Sequence, residues 1–302
     1  MTVDRTNVRL QTGGRRVVGA MLLVAVSTLA ACDKHERLWD LWRWAKTKLD
    51  VFTRSSTPSS TPSRPSPDRK DTRSERYVAF ESRDTYLVSG DTNHASDIFL
   101  YDRLTQETMR VSVGQGGLQA NGGSFAPDVS GDGRAIVFES LATNLVPDDT
   151  NRQRDIFVHD HQARTTTRVS VESSGEQANS FSQTAHLSDD GRFVVFESLA
   201  SNLVPGDTNG VMDIFVHDRL TRRTERVSVS GAGDQANNAS VNPTISPDGR
   251  HVRFDSFATN LASKQAEGTM RTFVHDRYSG QTLLVSEDRQ IAGGVTGRST
   301  WR

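Results

Sequence analysis

Asp207, Asn209 and Asp213 place three oxygen-bearing side chains on a short run of chain, inside the stretch NLVPGDTNGVMDIFVHD from Asn202 to Asp218. Hard cations are held by oxygen ligands, about six to eight of them for calcium. Calcium is therefore the first chemistry these residues bring to mind. The same spacing recurs as Asp149, Asn151 and Asp155 and as Asp91, Asn93 and Asp97. Backbone carbonyls, water or neighbouring amides would have to complete each shell, and the spacing is not that of an EF-hand loop. The competing role is mechanical, because Asp and Asn side chains fix turns by accepting nearby backbone N–H groups. In a fourth copy the equivalents are Gln265, Glu267 and Arg271. Arginine cannot ligate a cation, so three calcium sites is the ceiling.

A second polar motif repeats with the first. Gln119-Ala120-Asn121, Gln177-Ala178-Asn179 and Gln235-Ala236-Asn237 follow the three loops at constant distance. The amides of Gln119, Asn121, Gln177, Asn179, Gln235 and Asn237 are candidates for a ligand-binding face or for completing a calcium shell.

The elements that must position these residues also repeat. Phe80, Phe138, Phe196 and Phe254 are spaced 58 residues apart without an insertion, and a period of that length marks an array of like supersecondary units. Apolar runs within a copy are short and alternating, which predicts strands. In the third copy these are PTIS (Pro243 to Ser246) and RHVRFDS (Arg250 to Ser256), joined through Asp248-Gly249. Asp-Gly, recurring at Asp132-Gly133 and Asp190-Gly191, predicts a two-residue hairpin turn with positive φ. DIFVHD, from Asp155 and Asp213, and DIFLYD, from Asp97, form a third strand; RVSV, from Arg110, Arg168 and Arg226, forms a fourth. Four antiparallel strands per unit make a β-propeller blade. The expected fold is all-β, with about four four-stranded blades over 76–302 and repeats near 76–133, 134–191, 192–249 and 250–302.

SPDGRHVRF (Ser246 to Phe254), SDDGRFVVF (Ser188 to Phe196) and the DIFVHD strand resemble the TolB-type, WD40-like propeller repeat of bacterial envelope and secreted proteins. The resemblance covers 76–290 and implies an interaction module, since such propellers serve many partners and the fold hosts unrelated activities. Here the first copy begins at its second strand, and GRSTWR at 297–302 is expected to supply the missing inner strand and close a four-bladed ring. An open array with exposed sheet edges is the alternative. Propeller geometry puts the loop between the second and third strands on the same face as the link to the next blade, so both polar motifs are expected on one face.

The N-terminus carries an address. Arg5, Arg9, Arg15 and Arg16 precede the apolar stretch Val17 to Ala31, which reads as a signal peptide over 1–31. Leu29-Ala30-Ala31-Cys32 resembles the lipobox of bacterial lipoproteins, and Cys32 is the only cysteine. By that resemblance Cys32 carries the acyl chains; at about 0.8 kcal/mol per buried methylene, two or three chains anchor the protein to a membrane. Asp33 resembles the retention signal for the inner membrane, which favours its periplasmic side, the outer membrane being the alternative. Leu38, Leu41, Trp42, Ala45, Leu49 and Phe52 recur at helical spacing among basic residues. A helix over 32–52 follows, lying at the membrane interface or packing on the globular domain. The Ser/Thr/Pro-rich run over 53–75 is a spacer.

The sequence also narrows function. A formal net charge of -1 and a pI near 6.7 give no basic field for nucleic acid. One cysteine leaves no disulfide, and the motifs of serine hydrolases, phosphate-binding loops and zinc proteases are missing from the sequence. His159, His217 and His275, with Tyr101 in the first copy, are expected as packing residues. Arg110, Arg168 and Arg226 are expected to pair with an adjacent blade, binding of an anionic ligand being the alternative; Leu284 in their place in copy four favours pairing. The reading is a membrane-anchored, non-enzymatic envelope propeller that binds protein or glycan. A calcium-dependent propeller and a propeller-type hydrolase or lyase are the alternatives.

Overall fold

The computed structural model describes Ser74, residues 76–262 and residues 269–285. The leader, Cys32, Asp33, the helix over 32–52, the spacer up to 73 and the closing segment 297–302 lie outside the described residues.

Among the described residues, fifteen strands form four antiparallel sheets, each a meander in chain order. Blade 1 contains β1 (Tyr77–Ser82), β2 (Asp97–Asp102) and β3 (Glu107–Arg110). Blade 2 contains β4 (Ser124–Val129), β5 (Ala135–Ser140), β6 (Asp155–Asp160) and β7 (Thr165–Arg168). Blade 3 is β8 (Ser182–Leu187), β9 (Phe193–Ser198), β10 (Asp213–Asp218) and β11 (Arg223–Arg226). Blade 4 is β12 (Ser240–Ile245), β13 (His251–Ser256), β14 (Arg271–Asp276) and β15 (Gln281–Leu284). These are blades of a β-propeller, and the first has three strands among the described residues.

The phenylalanines that mark the period are cross-strand partners. Phe80, Phe138, Phe196 and Phe254 sit opposite Phe99, Phe157, Phe215 and Phe273. Their rings lie 5.6 to 6.0 Å apart at 26 to 27°, the geometry in which aromatic pairs add to area burial. Between blades the faces interlock: Val137, Ile156 and Val158 pack on Leu187, Val194 and Phe196, and Val195, Ile214 and Val216 pack on Ile245, Val252 and Phe254. Sheets buried on both faces explain why β5 and β9 are buried along their full length.

Two local expectations are corrected. The inner strand of blade 4 begins at Ser240, earlier than Pro243, because a register shift lies between Val241 and Thr244. Equivalent shifts occur in β4 and β8, and a bulge breaks the alternation from which a strand is read. Ala126, Thr184 and Asn242 take positive φ there. Their N–H groups are donated to Glu81, Glu139 and Glu197 of the preceding blade, at 3.4, 2.7 and 2.8 Å. The Asp-Gly turn is also longer than two residues. Ser130 N–H reaches the Ala135 carbonyl, Gly133 N–H reaches the Ser130 carbonyl, and of Asp132 and Gly133 only the glycine has positive φ. Asp132 accepts from the Ser130 hydroxyl at 2.6 Å and from Arg134 N–H at 2.9 Å, so it caps the turn.

The two ends of the array differ. The face of blade 4 that would meet a further blade has Arg253 where Val137 and Val195 stand, Thr272 where Ile156 and Ile214 stand, and His251 where Ala135 and Phe193 stand. β13 is accordingly buried on one side only. Each core cluster among the described residues joins consecutive blades, and none joins blade 4 to blade 1.

Candidate functional site

Both repeated polar motifs meet on one face, at the start of the third strand. Asp97, Asp155 and Asp213 open β2, β6 and β10 and are fully buried. One oxygen of each accepts a serine hydroxyl from the segment after the fourth strand: Ser112 at 2.6 Å, Ser170 at 2.6 Å and Ser228 at 2.5 Å. Those serine oxygens in turn accept the N–H of Ile98, Ile156 and Ile214, each at 3.1 Å. The second carboxylate oxygen accepts the amide of Asn93, Asn151 or Asn209 at 3.0, 2.8 and 2.8 Å. These asparagines also donate to the carbonyls of Ala120, Ala178 and Ala236 and accept a backbone N–H two residues on. Each asparagine therefore ties its loop to the Gln-Ala-Asn link.

The first loop aspartate faces cations and amide donors. Gln119 and Gln235 donate to Asp91 and Asp207 at 2.8 Å, whereas Gln177 turns to the Thr150 hydroxyl at 2.5 Å. Arg110 NH1 lies 3.6 Å from Asp91 and 3.7 Å from Asp97; Arg168 NH1 lies 3.2 Å from Asp149 and 3.7 Å from Asp155; Arg226 NH1 lies 3.5 Å from Asp207. The expected pairing of these arginines with an adjacent blade is corrected: the carboxylates belong to the arginine's own blade. Burial raises the carboxyl pKa of Asp149, Asp155, Asp207 and Asp213, with partial offset by the nearby arginine and hydrogen bonds.

This arrangement does not fit calcium. A guanidinium occupies the space between the carboxylates, and the Asn and Gln side chains aim N–H donors at them where a cation needs oxygens. Among the described residues no group of three His, Cys, Asp or Glu side chains is placed to hold a metal.

The third member of each triplet reaches forward. Asn121 N–H is donated to Asn144 Oδ1 at 2.9 Å, and Asn144 donates to the Gln119 carbonyl at 2.8 Å. Thr143 N–H returns to Asn121 Oδ1 at 2.8 Å. The same exchange joins Asn179 to Asn202 and Asn237 to Asn260. The triplet is thus a staple: glutamine points into its own blade, alanine is buried in the core, and asparagine holds the next blade. In blade 1 the residue equivalent to Asn144 is Tyr86, 60% exposed.

The histidines are buried as expected and also bonded. His159, His217 and His275 Nδ1 lie 2.9, 2.9 and 2.8 Å from the hydroxyls of Thr166, Thr224 and Thr282. Each hydroxyl donates at 2.5 Å to the carbonyl of Val113, Val171 or Val229 in the preceding link. A hydroxyl that donates its one proton there can only accept from the ring, so Nδ1 carries the proton. Burial lowers the pKa of His159 and His217 to about 4, and the rings are neutral.

Sequence reasoning missed two features with weak signals. The Glu81, Glu139 and Glu197 clasp was hidden because the donors its carboxylates accept from across the seam are backbone N–H groups. The cleft between blades 2 and 3, described below, depends on a residue that differs between copies.

No family model matches the sequence, and no curated protein matches it. Among solved structures it is similar to TolB from Acinetobacter baumannii, at 19% identity over 70% of this chain and 41% of that one, with a TM-score of 0.42. A putative TolB from Agrobacterium tumefaciens shows 17% identity over 70% and 61%, with a TM-score of 0.44. The β-propeller domain of the Trilobed protease from Pyrococcus furiosus shows 13% over 68% and 53%, with a TM-score of 0.40. The chain spans less than two thirds of each of these structures, and the likeness concerns the propeller fold alone.

Proposed function

We propose that the chain is a lipid-tethered propeller of the bacterial envelope that takes a protein or glycan partner on its loop face without acting on it chemically. The observation that carries this reading is what the staples leave over. The repeated Asp, Gln and Arg side chains of that face are engaged within their own blades and the triplet Asn side chains hold the next blade, while Tyr86, Leu118, Leu141 and Leu199 stand out from the same loops and links, 60, 58, 47 and 38% exposed. Large apolar groups in water on a rigid frame are anchors for a partner. The tether is supported by the Cys32 context and the spacer in the sequence; the position of Asp33 supports the periplasmic side of the inner membrane.

The test uses the full chain as bait in envelope extracts, beside a Leu141→Asp/Leu199→Asp double variant. A partner retained by the wild type and lost by the variant is expected. Equal recovery by both, or a partner captured only with catalytic turnover of a screened polysaccharide or peptide, would sink the reading. Growth with radiolabelled palmitate, comparing wild type and Cys32→Ser, tests the anchor.

A further inference from the structure

The clefts between consecutive blades are built from equivalent residues, and one of them lacks a carboxylate that its neighbour has. At the seam of blades 3 and 4, Arg277 is paired with Glu225 at 2.6 Å and donates to the Gly249 carbonyl. At the seam of blades 2 and 3 the equivalent arginine is Arg219, which makes the same bond to the Gly191 carbonyl at 2.6 Å. The position of Glu225 is filled by Thr167, and among the described residues no carboxylate pairs with Arg219. Burial pulls the Arg219 pKa down, opposed by the charges of Asp160, Asp132 and Asp190 nearby.

Arg219 lines a cleft of about 510 Å³ together with Arg168, Arg222, Thr166, Thr167 and Ser174. Arg168 is 91% buried at the side chain, and its Nε and NH1 have no hydrogen-bond partner, although Asp149 and Asp155 lie within ion-pair range. The one acid in the lining, Glu172, accepts the Ser174 N–H of its own turn at 2.6 Å. At the seam of blades 1 and 2 the equivalents of Arg219 and Arg222 are His161 and Arg164, and His161 packs on Tyr77 at 5.0 Å. That first seam also lacks the acid, with Met109 in the place of Glu225, but it has His161 where Arg219 stands; the pairing of Arg219 with Arg222 is particular to the middle cleft.

We propose that the cleft between blades 2 and 3 binds a tetrahedral oxyanion, a phosphate or sulfate group, with Arg219 and Arg222 as its forks and the threonine and serine hydroxyls as further donors. Planar guanidinium groups match such oxygens in pairs, and an unpaired arginine beside an open cleft is the arrangement that gains most from an arriving anion. The inference does not depend on the loop-face partner.

The chain's own repeat supplies the test. Thr167→Glu copies the native Glu225 arrangement and fills the site without removing an arginine. Melting of the full chain is followed against inorganic phosphate, inorganic sulfate and glycerol 3-phosphate, with chloride at equal ionic strength. At ten times the dissociation constant, the wild type is expected to melt about 3 °C higher than in chloride. Thr167→Glu should abolish the shift. A response to glycerol 3-phosphate alone assigns an esterified headgroup; a response to the inorganic ions assigns the free anion. No shift over chloride in the wild type, or an undiminished shift in Thr167→Glu, would overturn the proposal.

Discussion

Asn121 and Asn144, from different blades, hold each other through their side chains and backbones: Asn144 Oδ1 accepts the Asn121 N–H at 2.9 Å, and Asn144 Nδ2 returns to the link at 2.8 Å. The exchange is repeated at Asn179–Asn202 and Asn237–Asn260, and it fixes how the blades sit beside one another.

Replacing Asn202 by Ala leaves the Asn179 N–H and the Gln177 carbonyl without their partners. A loss of about 1–2 kcal/mol is expected by urea unfolding. Tyr86→Ala, at the equivalent position of blade 1, should stay within about 0.5 kcal/mol. Equal losses at the two positions would show that the staple does not hold blades.

Calcium should leave the melting temperature of the wild type unchanged, because Arg226 already stands beside Asp207. Arg226→Gln removes that cation from a buried pair of carboxylates, Asp207 and Asp213, and should lower stability by about 3 kcal/mol. Titration with calcium and chelator then reads the charge: the variant, with two unpaired carboxylates, is expected to gain a calcium-dependent rise in melting temperature. A rise of the same size in the wild type would restore the metal reading of the loop.

Acid should weaken the fold through the histidines. Burial lowers the folded pKa of His159 and His217 from 6.5 to about 4, so between those values the unfolded chain binds more protons. The neutral rings contribute in full above 6.5, and their contribution is lost as the pH falls through that window. The loss is on the order of 3 kcal/mol per ring by the time pH 4 is reached. His217→Gln should flatten the stability curve between pH 6.5 and 4; a curve as steep as that of the wild type would remove the assignment.

Arg253 and Val195 occupy equivalent strand positions, one on the polar face of blade 4 and one inside the seam of blades 3 and 4. Val195→Arg puts an unpaired charge into the packed seam and should cost about 4 kcal/mol or more. Arg253→Val should change stability by less than about 1 kcal/mol and raise self-association, read by light scattering. If Arg253→Val stabilised as strongly as Val195→Arg destabilised, blade 4 would be packing on another blade.

Much of the fold was legible because its signals are local. The phenylalanine spacing gave the period, and cross-strand pairing is what makes that residue indispensable. The alternation in DIFVHD gave β6 and β10 to the residue. β8 and β12 were blurred because a bulge residue with positive φ, Thr184 or Asn242, interrupts the alternation. At the site, the shared face of loop and link followed from antiparallel topology alone. The direction of each contact did not: whether Gln119 meets its own blade or the next, and whether Arg168 meets a loop or a neighbour, depends on side-chain reach. The Arg219 cleft was hidden because its signal is a difference between copies, Thr167 against Glu225.

The Gln-Ala-Asn triplet makes each of the three 58-residue copies that carry it a cassette, with one half that completes itself and one half that grips the copy that follows. A tandem duplication within the array would arrive already equipped to be joined on both sides. Length is then an easy variable for evolution to change.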